Sequence, residues 1–249
     1  MKSLLNVSFN KVFVGVLLLL VGVNVIGAVS ENALFLQSTK MLFVPSFLLF
    51  FFIKRNSIKI PFVLCLIYFF FGDSASLFFA NDMFLNASNV LYFLSYLCLI
   101  IFVSQKFRIM EFNKIIAYYL IVVFLINLYF LYTTCSILRV IVPDGAEVFI
   151  FGLKSVSLII LLFISFGVYL NSESKMSIVF LLMAFSFACS DLLDYVNHYY
   201  VYNWSFLMLE RILHVVGLFF LFNYIVAYNK LFKKQEIREV IRGSENVLV

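Results

Sequence analysis

Polar positions interrupt this chain about every twenty residues, and between them it is apolar. The apolar runs fall at approximately 11–29, 34–53, 60–80, 88–105, 114–134, 147–170, 176–199 and 204–228. At ~1.5 Å of rise per helical residue, each is about long enough to cross a ~30 Å hydrocarbon layer. A backbone in that layer finds no water to bond, so such runs are helical. The pattern predicts an all-α fold, a polytopic transmembrane helical bundle of about eight helices. The connections are short, which predicts that consecutive helices are antiparallel neighbours. Pro61 opens the third run, where its missing N–H costs nothing. Pro45 lies inside the second and is expected to kink it. Pro143 stands before Asp144-Gly145, a turn signal.

The first run is too long for the apolar core of a signal peptide and lacks a clear A-x-A site, so it is read as helix 1. Residues 1–229 are read as one transmembrane domain and 230–249 as a short basic tail. Lys2, Lys11, Lys54, Arg55, Lys59, Lys106, Arg108, Lys114, Lys175 and the cations of the tail fall on one side of this scheme, and Arg139 falls on the other. That asymmetry predicts cytoplasmic termini. Abundant Phe, Lys and Asn suit an AT-rich bacterial genome, which makes the inner membrane the expected location.

Composition narrows the function classes. The chain is 64% hydrophobic and 12% charged, with a mean hydropathy of +1.07, which excludes a soluble globular reading. The net charge of +5 resides mostly in connections and marks topology rather than a nucleic-acid surface. Cys65, Cys98, Cys135 and Cys189 sit in separate apolar runs without C-x-x-C spacing, so they indicate neither a zinc knuckle nor a disulfide framework.

The informative positions are ionisable groups inside the runs, because each costs several kcal/mol in hydrocarbon unless it is paired or wet. They are Lys40, Asp73, Lys154, Asp191, Asp194, Glu210, Arg211 and His214. The stretch Phe185–Tyr200 concentrates them. Helical spacing places Asp191, Asp194, Tyr195 and His198 on one face, continued by Ala184 and Ala188, and this face is expected to wall a polar pocket. Counted along the helices, most of these groups lie in the non-cytoplasmic half, as a cavity open to that side requires. A weak internal repeat accompanies them. The gaps Lys40–Asp73 and Lys154–Asp191 are 33 and 37 residues, and Asp73–Tyr96 and Asp191–His214 are both 23. Two halves of four helices in the same orientation would form a parallel repeat.

Thr39-Lys40, Phe69–Phe78 (FFFGDSASLF), Tyr92–Phe102 (YFLSYLCLIIF), Phe187–Leu193 (FACSDLL) and His214, in that order, resemble the YhhN-like lysoplasmalogenase family of eight-helix membrane proteins. The likeness runs from about Leu34 to Phe222. Gly72-Asp73 and Ser190-Asp191 are its most specific parts. Lys40-Met41 stands where the family usually has Lys-Pro, and Tyr96 stands where it usually has His. The resemblance implies hydrolysis of the vinyl ether bond of a lysoplasmalogen to a fatty aldehyde and a glycerophospho-alcohol. Asp73 and Asp191 would then divide acid and base work. Lys40, Tyr96, Asp194 and His214 would bind substrate or tune the acids, and Lys154, Glu210 and Arg211 would serve as structural charge partners.

Other readings stay open beside it. Asp73 and Asp191 can be structural partners of Lys40 and Lys154, and Glu210-Arg211 can snorkel to the interface. Asp194/His198 and Glu210/His214 have chelating i, i+4 spacing, but their depths differ and no H-E-x-x-H exists, so no metal and no cofactor is assigned. The expected partners are the bilayer and a lysophospholipid or lysoplasmalogen, with no nucleic acid and no defined oligomeric state. The competing functions are a lipid-binding relative without catalysis, favoured by Tyr96, and a proton-coupled transporter. The latter needs a polar path through the cytoplasmic half, which the sequence scarcely supplies.

Overall fold

The computed structural model describes residues 11–30, 41–53, 60–76, 82–104, 114–172 and 174–245. Eight α-helices and no strands lie among them. They are α1 (Lys11–Val29), α2 (Phe43–Ile53), α3 (Ile60–Ala75), α4 (Asp82–Ser104), α5 (Lys114–Ile141), α6 (Gly145–Ser172), α7 (Lys175–Tyr199) and α8 (Trp204–Glu245). Five segments are long and apolar enough to cross a membrane: Met83–Ser104, Ala117–Ile141, Gly145–Ser172, Lys175–Tyr199 and Trp204–Asn229. Ile60–Ala75 is a shorter apolar helix. The chain is thus a helical membrane bundle.

Local chemistry explains several boundaries. The Ser174 hydroxyl caps α7 by accepting from the Ser177 N–H at 3.1 Å. Asp144 does the same for the first turn of α6, accepting from the Ala146 N–H at 2.9 Å. The helix around Pro45 is interrupted at Leu42, where the pyrrolidine has no N–H for the Met41 carbonyl. α8 has 42 residues, or ~63 Å, so it runs well beyond a ~30 Å layer. The basic tail is therefore helical as far as Glu245 rather than a separate element.

Packing departs from simple sequential order. Neighbours run α1, α2, α3, α4, α6, α7, α8 and back to α1, and α5 lies outside this ring against α6. The expectation that consecutive helices are neighbours holds for α5 with α6 and departs between α4 and α5, where α4 packs mainly on α3 and α6. The reason is its surface: α5 exposes the large side chains Tyr118, Leu125, Tyr129, Phe130 and Tyr132 and buries little beyond Leu120 and Leu138. Such a helix is as well solvated by lipid as by protein. α4 and α6 instead turn polar or small groups inward, including Ser88, Ser95, Lys154 and Ser157, and so meet each other.

The ring is filled by aromatic side chains. One end packs Phe62, Phe102, Phe180, Tyr224 and Tyr228 together; Phe62 and Phe102 have ring centroids 4.3 Å apart, and Phe180 and Tyr224 4.9 Å. Further along, Phe69 stacks on Phe187 at 5.1 Å. Gly217 of α8 makes room for Phe187: a Cβ there would lie 2.6 Å from its Cε1. Phe187 is fully buried and cannot retreat. Gly217→Ala is therefore expected to lose about 1–3 kcal/mol, seen as a lower unfolding midpoint in detergent. Gly152→Ala, whose Cβ would meet only Cys135 Sγ at an ordinary 3.6 Å, is expected to be neutral or slightly stabilising through helix propensity.

Candidate functional site

Five helices aim their polar residues into the ring at one level. On α3 the stripe Phe62, Leu66, Phe69 continues into Asp73, and on α7 the stripe Phe180, Ala184, Phe187 continues into Asp191. On both helices the spacing of three or four residues carries the carboxylate onto the face that already packs inward. On α4, Ser88, Tyr92 and Tyr96 follow one another at i, i+4. Two hydroxyls pin α4 to α3: Ser88 Oγ donates to the Gly72 carbonyl at 2.9 Å, and Ser95 Oγ to the Cys65 carbonyl at 3.3 Å. Ser190 Oγ likewise ties α7 to α8 through the Glu210 carbonyl at 3.0 Å.

The charged groups then meet in pairs. Asp73, fully buried, accepts from the Tyr92 hydroxyl at 2.5 Å and lies 3.7 Å from His214 Nε2 of α8. Asp191 lies 3.4 Å from Lys154 Nζ of α6 and accepts from the Tyr96 hydroxyl at 3.5 Å. Lys154 is buried and its Nζ stands 5.8 Å from the centre of the Tyr92 ring. Tyr92 thus touches both clusters, with its hydroxyl on one carboxylate and its ring near the cation of the other. His214 is boxed by Phe69, Tyr92 and Phe187, with ring centroids 5.7, 6.0 and 5.6 Å away.

The two carboxylates have different surroundings. The Asp73 side chain is 0% exposed, whereas that of Asp191 is 19% exposed and lines a cleft of about 300 Å³ between α5, α6 and α7. A pair of acids with unequal surroundings is what divided acid/base work requires.

The remaining sequence candidates are placed as follows. Lys40 lies outside the described residues. Asp194 is exposed one turn beyond Asp191, and His198 is exposed near the end of α7 with its ring 4.6 Å from Tyr199. Of the expected wall, Ala188, Asp191 and Tyr195 line one cleft, whereas Asp194 and His198 do not take part in it. That stripe is ~100° wide, so its members diverge. Asp191 faces Lys154, and Tyr195 stacks on Phe151 at 5.0 Å and shares a 2.8 Å hydrogen bond with Tyr200. Glu210 and Arg211 are both buried rather than at an interface; Arg211 Nε lies 3.9 Å from Glu210, and Nη1 donates to Asn24 of α1 at 3.4 Å. Among the described residues no three His, Cys, Asp or Glu side chains gather as metal ligands.

Two contributors escaped the sequence reading. Tyr92 stood inside the quoted α4 motif, and its signal was the i, i+4 spacing to Tyr96. Glu147, at the start of α6, accepts from the Tyr199 hydroxyl at 2.6 Å and ties α6 to the end of α7. Removing the Tyr92 hydroxyl deletes a buried bond to a carboxylate. Tyr92→Phe is expected to cost about 1.5–3 kcal/mol of stability. Tyr68→Phe, on a half-buried ring of α3, is the comparison that should leave the unfolding midpoint unchanged. No protein-family model, curated protein or solved structure matches the chain.

Proposed function

We propose that this chain is a membrane-embedded lipid hydrolase resembling the YhhN-like lysoplasmalogenases, cleaving the vinyl ether bond of a lysoplasmalogen. The observation that carries the reading is the unequal carboxylate pair. Asp73 is sealed among Tyr92, His214 and aromatic rings, while Asp191, held from behind by buried Lys154 and Tyr96, lines a cleft. The proton donor is the Lys154–Asp191 pair, with Asp191 the member that faces the cleft. It gives a proton to the β-carbon of the vinyl ether, leaving an oxocarbenium-like cation. Water adds to the carbon bearing oxygen and returns its proton to the pair. The hemiacetal then separates into fatty aldehyde and glycerophospho-alcohol. Buried Asp73 supplies negative potential for the cation and holds Tyr92 and His214 in place.

All eight helices cross the membrane in this proposal, with both termini cytoplasmic and the bacterial inner membrane as host. Two parallel halves, α1–α4 and α5–α8, are related by an axis along the membrane normal. Neighbouring pairs support the repeat: α3 with α4 answers α7 with α8, α2 with α3 answers α6 with α7, and α4 with α6 answers α2 with α8. The side-chain pairing follows the same exchange. His214 of the second half meets Asp73 of the first, and Tyr96 of the first meets Asp191 of the second.

The test is aldehyde release from a lysoplasmalogen by the purified, detergent-solubilised protein, with Asp73→Asn and Asp191→Asn beside it. Tyr96, on Asp191 where the resembled family has His, favours a second reading: a relative that binds lysophospholipid without turnover. Saturable binding with no aldehyde from a well-folded parent would select it.

A further inference from the structure

The cleft at Asp191 is the outer end of a longer feature. A second cleft, of about 290 Å³, lies along the same three helices and shares Asn127, Ile159, Leu162 and Phe185 with the first. Together they form one continuous groove with α6 as floor and α5 and α7 as walls. It runs from the level of Leu120 on α5 to that of Thr134, and from Phe166 to Phe151 on α6. Fourteen to fifteen residues of rise make it ~20 Å long, against ~15 Å for half of the hydrocarbon layer. Its lining is mostly aliphatic and aromatic. Polar groups collect toward one end, with Thr134 and Ser155 near Asp191.

We propose that this groove holds the hydrocarbon chain of a single-chain phospholipid, which slides in sideways from the leaflet at the Tyr199 end of α7. The chain lies along α6 with its tail toward Leu120, and its polar end stops at the Lys154–Asp191 pair. Three observations select this occupant. Toward its Tyr195 end the groove lining includes one charged side chain, Asp191, 19% exposed, which a polar head meets and a purely apolar partner does not. The two clefts lie end to end rather than side by side, so they offer one track for one chain. α5 stands outside the ring, leaving the track open toward lipid along its length. The nature of the head group rests on the hydrolase reading; the groove does not.

The experiment uses the full-length protein in nanodiscs of a two-chain phosphatidylcholine, with a lysophospholipid bearing a photoreactive diazirine near the chain terminus. Labelled peptides are located by mass spectrometry. The expected result is labelling concentrated around Leu120–Asn127, Ile159–Phe166 and Phe185, removed by excess unlabelled lysophospholipid. Ile159→Trp, which fills the shared middle of the groove, should cut that labelling about tenfold, ~1.4 kcal/mol. Leu18→Trp, at an exposed position on α1, should leave it unchanged. Labelling spread evenly over all lipid-facing helices would mean ordinary boundary lipid and overturn the proposal. So would an unlabelled groove in a particle whose mass is that of a dimer, since a second copy would then cover it. Groove labelling without aldehyde release sinks the hydrolase reading and keeps the groove. Aldehyde release indifferent to Ile159→Trp does the reverse.

Discussion

Replacing Asp191 by Asn is expected to lower aldehyde release by about 10²–10⁴-fold, the usual contribution of a positioned proton donor. Asn keeps the shape of the side chain and an oxygen for Lys154 and Tyr96, but it also removes the charge that answers buried Lys154, so a loss of stability accompanies the loss of the acid. Asp73→Asn probes a different role. That carboxylate is fully buried, and its effect reaches the substrate as negative potential and through Tyr92. Its loss should cost rate as well as stability. Unfolding midpoints in detergent are the control: an Asp191→Asn protein that is inactive well below its own unfolding midpoint assigns the defect to chemistry. Retained turnover in that variant would remove Asp191 from the mechanism and leave its pairing with Lys154 as a packing device.

The fold was largely legible in the sequence because a hydrocarbon environment makes demands that any chain must show. The described helices correspond in order to the apolar runs 11–29, 34–53, 60–80, 88–105, 114–134, 147–170, 176–199 and 204–228. The layer of buried charge was legible for the same reason: Asp73, Lys154, Asp191, Glu210, Arg211 and His214 are costly wherever a neighbour does not answer them. What was not legible is who answers whom. Sequence spacing grouped Asp191 with Asp194 and His198, whereas packing gives Asp191 to Lys154 and Tyr96. Helical periodicity fixes an angle to within a face, but a wall of a pocket is narrower than a face. The position of α5 was hidden too. Its apolar run reads like its neighbours, and which of its side chains meet other helices was not visible in it: among its described residues it buries Leu120 and Leu138.

Replacing Lys154 by Met is expected to be the most destabilising single change in the site. It leaves the Asp191 carboxylate, only 19% exposed, without the cation 3.4 Å away. Removing one partner of a buried pair costs about 3–5 kcal/mol, a fall of roughly 10 °C in the unfolding midpoint for a chain of this size. The decisive comparison is the double variant Lys154→Met with Asp191→Leu. It discards both charges and fills their volume with apolar groups, which is often neutral or stabilising. Recovery of the parental midpoint would give a coupling energy of several kcal/mol and assign the destabilisation to the unanswered carboxylate. It would also produce a folded bundle with no acid at the end of the groove, in which chain binding and bond cleavage are measured apart. A Lys154→Met protein as stable as the parent would instead mean that water reaches Asp191 freely. The pair would then be a wet, solvated end of the cleft, and the proton would have to come to the vinyl ether from the solvent side rather than from the pair.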